Sequence, residues 1–180
     1  MPQYAVSAIG RDRPGIVAAV TRVLLRHGLN IEDSQMSILR GRFTMMLVVG
    51  AADGVAVGSI GPELDAVREE LDLDALSFEP VTPADAEAPA EPTHIVTVYG
   101  VDHPGIVEAV ASALAAADVN ITDLETRLVS DDVGEDLYAM MLEVAPPAGA
   151  SDADLEAALA PARAAQGVEV SIRELERDEL

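Results

Sequence analysis

Two short clauses in this chain combine residue types that could receive a carboxylate. The first, G-R-D-R-P-G-I-V, runs from Gly10 to Val17, and the second, G-V-D-H-P-G-I-V, from Gly100 to Val107. In each, an acid precedes Pro-Gly and an apolar stripe of helical spacing follows at once, so the chain turns sharply into a helix. Proline has no N–H, and glycine allows close approach to the backbone. The amides of Ile16 and Val17, and of Ile106 and Val107, then sit at the positive end of a helix dipole, a natural receptor for a small anion. Asp12 and Asp102 are suited to cap these helices, with the amides of Gly15 and Gly105 as targets. For one such clause alone, a tight turn capped by aspartate, worth about 1 kcal/mol and binding nothing, is the better account. Two at the same offset, each followed by a duplicated asparagine, favour ligand binding.

That asparagine is Asn30 in L-N-I-E-D, ending at Asp33, and Asn120 in V-N-I-T-D, ending at Asp123. An amide offers both a donor and an acceptor to the ammonium and carboxylate of an amino acid. Alternatively, asparagine here only tolerates an irregular backbone at a helix exit. Arg13 and His103 share one loop position, the first a fixed fork of donors and the second a pH-dependent charge. Either could assist an anion or lie solvated, and their difference implies two sites that are not equivalent. Met45, Met46, Met140 and Met141 read as core filling, and His27 and His94, which have no duplicates, as incidental. There is no metal-ligand spacing, nucleophile elbow or phosphate-binding loop. With no cysteine, no lysine and three histidines, the usual nucleophiles and bases are nearly absent, so no catalytic residue, metal or cofactor is expected.

The elements that must position these residues follow from periodicity. Tyr4 to Ile9 alternates as a strand. Gly15 to Arg26 carries Ile16, Val17, Val20, Val23 and Leu24 on one helical face and stops at Gly28. Asn30 to Leu39 and Phe43 to Ala51 form a hairpin about Arg40-Gly41-Arg42. Pro62 opens a helix with Leu64, Val67 and Leu71 on one side, and Leu76 to Phe78 is a brief last strand. The order then repeats: a strand at 94–99, a helix at 104–117, a hairpin of 120–129 with 137–144, a helix capped by Ser151 and bent near Pro161, and a strand at 168–172. Met45-Met46-Leu47 returns as Met140-Met141-Leu142, so the second hairpin is longer by five residues. Each half is βαββαβ, the ferredoxin-like pattern of an antiparallel sheet with helices on one face, an α+β fold. The expected domains are 1–80 and 93–174, with a stiff, proline-rich linker at 81–92 and an acidic tail at 175–180. Pairing of the halves would cover their open sheet faces and edges.

A net charge of −21 repels phosphate backbones, so no direct nucleic-acid contact is expected. No apolar run approaches the roughly 20 residues of a membrane span, and no signal pattern opens the chain. With no cysteine, these features point to the cytoplasm and away from membranes.

The D-R-P-G-I-V…L-N-I-E-D and D-H-P-G-I-V…V-N-I-T-D clauses resemble ACT domains, small modules that sense amino acids. The tandem pair is similar to the glycine cleavage system transcriptional repressor group. That resemblance implies ligands at the interface of two modules, held by the loop after the first strand of one and the start of the second strand of the other. Carried over, it implicates Asp12, Arg13, Gly15, Ile16 and Asn30 with Asp102, His103, Gly105, Ile106 and Asn120. It further implies a non-enzymatic regulator that acts through a protein partner, with a homodimer left open. A module without ligand and the detached regulatory subunit of an amino-acid-metabolising enzyme are the alternatives. Anisotropy titration of purified protein with duplex DNA at physiological salt is expected to show no binding, and tight, salt-sensitive binding would overturn the charge argument.

Overall fold

The computed structural model describes residues 2–52, 55, 57–82, 90–130 and 136–175. The chain divides into two compact units, Met1–Glu87 and Ala88–Leu180. Most of the linker, the second hairpin tip and the acidic tail lie outside the described residues.

The first unit runs β1 (Gln3–Arg11), α1 (Ile16–Arg26), β2 (Leu29–Leu39), β3 (Arg42–Ala51), a 3-10 turn (Val57–Ser59), α2 (Ile60–Glu70) and β4 (Leu73–Pro80). The second repeats this as β5 (His94–Val101), α3 (Ile106–Ala116), β6 (Asn120–Ser130), β7 (Asp136–Ala145), α4 (Asp152–Gln166) and β8 (Glu169–Glu174). The sheets have strand orders β2-β3-β1-β4 and β6-β7-β5-β8, and every pairing is antiparallel. Both units are therefore ferredoxin-like βαββαβ folds.

Alternation along the central strands buries Val6 and Ala8 of β1 opposite Leu47 and Met45 of β3. Ile16, Val20, Val23 and Leu24 of α1 and Ile60 and Leu64 of α2 close the core over them. Each fully buried aliphatic side chain contributes about 1.5–3 kcal/mol. Tyr4 stacks on Phe78 at 4.7 Å. Val96, Val98, Ile106, Leu114, Leu142 and Leu155 play the same part in the second unit. The methionine pairs divide between the two sheet faces: Met45 and Met140 fill cores, whereas Met46 and Met141 are 57% and 43% exposed on the helix-free faces. Neighbouring strand residues point to opposite sides, so only one of each pair can be core.

Several boundaries differ from the sequence reading. β4 begins at Leu73 rather than Leu76, because Asp72 and Asp74 obscure its alternation. α2 begins at Ile60, two residues before Pro62, following the 3-10 turn. α4 starts as expected. Ser151 Oγ accepts the Asp154 N–H, and the Asp154 carboxylate accepts the Ser151 N–H at 2.9 Å, a reciprocal capping box. The Ser151 hydroxyl also donates to that carboxylate at 2.7 Å, and this bond first, with the one from the Ser151 N–H, holds the Asp154 carboxyl below its usual value.

Gly10 and Gly100 are duplicated for a packing reason. A Cβ on Gly10 would meet Leu73 Cδ2 at 2.8 Å, and one on Gly100 would meet Val168 Cγ1 at 2.7 Å. The entry of the last strand is thus pressed against the exit of the first. Gly100→Ala should destabilise its unit by about 1–3 kcal/mol in chemical denaturation. Gly10→Ala should cost less, since leucine can rotate its tip aside and branched valine cannot. Negligible costs would show that these contacts do not constrain the strand, and equal ones that leucine is held as firmly as valine.

Candidate functional site

The chain leaves β1 at Arg11 and enters α1 at Ile16. The Asp12 N–H donates to the Gly41 carbonyl at 2.9 Å, tying the loop to the β2–β3 turn. Asp12 does not cap the helix, contrary to the expectation from sequence. The N-cap residue is Gly15, at φ 101°, and no side chain caps α1. Gly105 repeats this at φ 107°, again without a side-chain cap. The helix starts one residue later than expected, so the capping position falls on a residue without a side chain. No atom lies within 4 Å of a Cβ built on Gly15, so glycine is there for its left-handed backbone rather than for space.

The first in-helix bonds run from the Ala19 N–H to the Gly15 carbonyl and from the Ala109 N–H to the Gly105 carbonyl, both 2.9 Å. Amides before them, Ile16 and Val17 or Ile106 and Val107, have no acceptor inside the helix. These positive ends differ in charge. α1 has no acid in its first turn, whereas α3 has Glu108, whose carboxylate accepts from Ser112 Oγ at 2.8 Å.

Arg13 and His103 both reach across to the connection between second helix and last strand of their own unit. The Arg13 guanidinium lies 3.7 Å from the Asp72 carboxylate. His103 Nε2 lies 2.9 Å from the Gln166 carbonyl oxygen, and its Nδ1 lies 3.2 Å from that of Pro104. The shared loop position is therefore a brace in both units, built from different chemistry.

Asn30 and Asn120 are exposed at the start of β2 and β6. Asn30 pairs with Gly50, which pairs with Gln3 at the beginning of β1, whereas the D-x-P-G loop follows Arg11 at its end. Nine residues of strand separate the two ends, about 26 Å. Loop and asparagine of one unit therefore do not meet. A further duplicated feature was not foreseen: the β2–β3 register shifts between Ile31 and Asp33, and the β6–β7 register between Ile121 and Asp123. The N-I-x-D clause thus encodes a β-bulge at Glu32 and at Thr122. Glu32 accepts from Gln3 Nε2 at 2.6 Å and Thr122 Oγ1 donates to the Glu143 carbonyl at 3.1 Å. Only the repetition of the clause hinted at this.

Asn30 also lines a cavity of about 480 Å³ beside α1, with Arg22 and Leu25. Another, of about 580 Å³, lies between α3 and α4 and is walled largely by alanines. His27 and His94 have structural partners, Glu63 at 2.9 Å and Asp152 at 3.0 Å. Arg26 and His27 together hold the Glu63 carboxyl below its usual value. Among the described residues no group of His, Cys, Asp or Glu is arranged to hold a metal ion, and no helix is long and apolar enough to cross a membrane.

The sequence profile of the ACT domain matches residues 4–77 and 93–173. A UPF0237 protein of Methanopyrus kandleri is 42% identical over 77 residues, 42% of this chain and 86% of that one. The glycine cleavage system transcriptional repressor of Escherichia coli K12 is 34% identical over 123 residues. That match covers 68% of this chain and 63% of the repressor, less than two thirds of its length. The crystal structure of an unknown protein from Galdieria sulphuraria superimposes with a TM-score of 0.79 at 28% identity, covering 97% of this chain and 99% of that one.

The two oxygens facing His103 can only accept, and a neutral imidazole has a single N–H. The charged ring satisfies both, so His103 titrates above the ordinary 6.5, chiefly through the Gln166 carbonyl and next through that of Pro104. Stability from this brace is complete below the unfolded-state value and is lost as pH rises through the raised folded-state value. An NMR titration should find the His103 midpoint above 6.5, and the melting advantage of wild type over His103→Asn should shrink on the alkaline side. A midpoint at or below 6.5 would show that the ring is not held in its charged form.

Proposed function

Because the chain belongs to the ACT-domain family, with one domain in each half, we propose that it is a non-enzymatic regulator that binds a small amino acid and passes its occupancy to a protein partner. The observation that carries this reading is the doubled loop. Gly15 and Gly105 adopt the same left-handed conformation, and each leaves a helix N-terminus without a side-chain cap. A turn serving only to reverse the chain would gain from a capping side chain, about 1 kcal/mol. Leaving it out twice suits an N-terminus that receives its anion from solution.

The amino acid's carboxylate lies on the amides of Ile16 or Ile106, beside Asp12 and Gly15 or Asp102 and Gly105. Its ammonium meets Asn30 or Asn120. Since loop and asparagine stand at opposite ends of one sheet, no single module completes the site. Arg13 and His103 hold the two loops in shape. The Escherichia coli relative is named a transcriptional repressor of the glycine cleavage system, and control of amino-acid metabolism is the role that this likeness supports here. With a net charge of −21, such control runs through a protein rather than through DNA contact.

A thermal-shift screen of the twenty amino acids tests the reading. At about a hundredfold excess over Kd one site adds ~2.7 kcal/mol, a melting shift of roughly 10–20 °C for a module of this size. Asn30→Ala combined with Asn120→Ala should abolish the shift. Asp12→Ala should leave ligand-free stability within about 0.5 kcal/mol, because that carboxylate caps nothing. If no amino acid moves the wild-type melting temperature at millimolar concentration, the duplicated loops are scaffolding.

A further inference from the structure

The cavity beside α1 adds a charge to one asparagine and not to the other. Its volume of about 480 Å³ falls within the range of small-molecule sites, roughly 300–1,000 Å³. Asn30 lines it with Arg22, between the apolar walls of Leu25, which is 74% exposed, and Ile31. Thr21 also lines it, but its hydroxyl is already given to the Val17 carbonyl at 2.8 Å. The polar groups left for a ligand are therefore a guanidinium and an amide.

Arg22 has no ion-pair partner among the described residues, although acids outnumber arginines by 32 to 11. One helical turn on, Arg26 takes one Glu63 oxygen at 2.6 Å and His27 takes the other at 2.9 Å. Both oxygens of that carboxylate are engaged, and Arg22 stands without an ion pair at the cavity. In the second unit the offset of 90 residues puts Glu108 in place of Ala18 and Ser112 in place of Arg22. Ser112 is hydrogen-bonded to Glu108, so the helix before Asn120 carries a carboxylate where the helix before Asn30 carries a cation.

Resting on the amino-acid reading above, we propose that the Arg22–Asn30 cavity makes the first module's asparagine select an amino acid with an anionic side chain, and that Asn120 takes a neutral one. The ligand's α-carboxylate is taken by helix amides, so a further cation beside Asn30 complements only a second anionic group. A guanidinium fork matches a carboxylate in two parallel hydrogen bonds. Glu108 repels the same group from the Asn120 site.

Calorimetric titration of the full chain with L-glutamate, L-glutamine and glycine tests this. Glutamine has the shape of glutamate without the charge. With the second site removed by Asn120→Ala, glutamate should bind about tenfold more tightly than glutamine, the scale of one hydrogen-bonded ion pair. Arg22→Gln should remove that advantage and leave glutamine within about twofold, with an unchanged ligand-free melting temperature, as for a surface residue. Equal affinities for glutamate and glutamine, or a glutamate affinity untouched by Arg22→Gln, sinks this proposal and spares the amino-acid reading. If none of the three binds, this proposal falls, and the amino-acid reading is decided by the screen of all twenty.

Discussion

Each sheet is organised about a central strand that hands the chain to a helix lying back along the same sheet. The reversal is completed in four residues, between Arg11 and Ile16 and between Val101 and Ile106. A left-handed glycine at its last position makes so short a turn possible, where a residue with a side chain would cost about 1–2 kcal/mol. Much else depends on that geometry. It aims the buried stripe of the helix at the core and leaves the first amides uncapped. It also sets the loop beside the second helix's exit, where Arg13 and His103 find their partners. Gly10 and Gly100 complete it by letting the last strand close against the first.

The two units keep this backbone and change its chemistry. A salt link to Asp72 in one becomes a pair of carbonyl contacts from an imidazole in the other. A helix start free of acids becomes one bearing Glu108, and an unpaired arginine near the asparagine becomes a serine. Duplication preserved the backbone of loop and helix start and released the side chains around them.

Most elements were legible because burial imposes periods of 2 and 3.6 on the apolar residues, as in β1 and α1. The Ser151 capping box was legible too, since its partner lies three residues away. Features that rest on one backbone angle or one unpaired residue were not. Asp12 looked like a cap because the sequence does not show which residue takes the left-handed turn. The bulges at Glu32 and Thr122 each insert a single residue, which leaves no mark on composition. Arg22 resembled any solvated helix residue until its lack of a counter-ion and its place at a cavity could be seen. The separation of loop and asparagine by the length of a strand follows only from the register.

The bulge has one more effect. β2 and β6 are edge strands, and β2 holds eleven residues with Met36, Ile38 and Leu39 exposed. A long, regular edge with apolar side chains is a template on which other chains can add strands and aggregate. The extra residue breaks the hydrogen-bond ladder near the start of each edge and increases its local twist, so an incoming strand cannot stay in register along the full length. It also inverts the phase of the strand: Leu29 and Ile31 share the helix side with Ser34, Met36 and Ile38, odd positions giving way to even ones. Deleting that one residue would straighten the edge while turning half its side chains to the opposite face, so the sequence is protected from a smooth edge by the same residue that keeps its alternation correct.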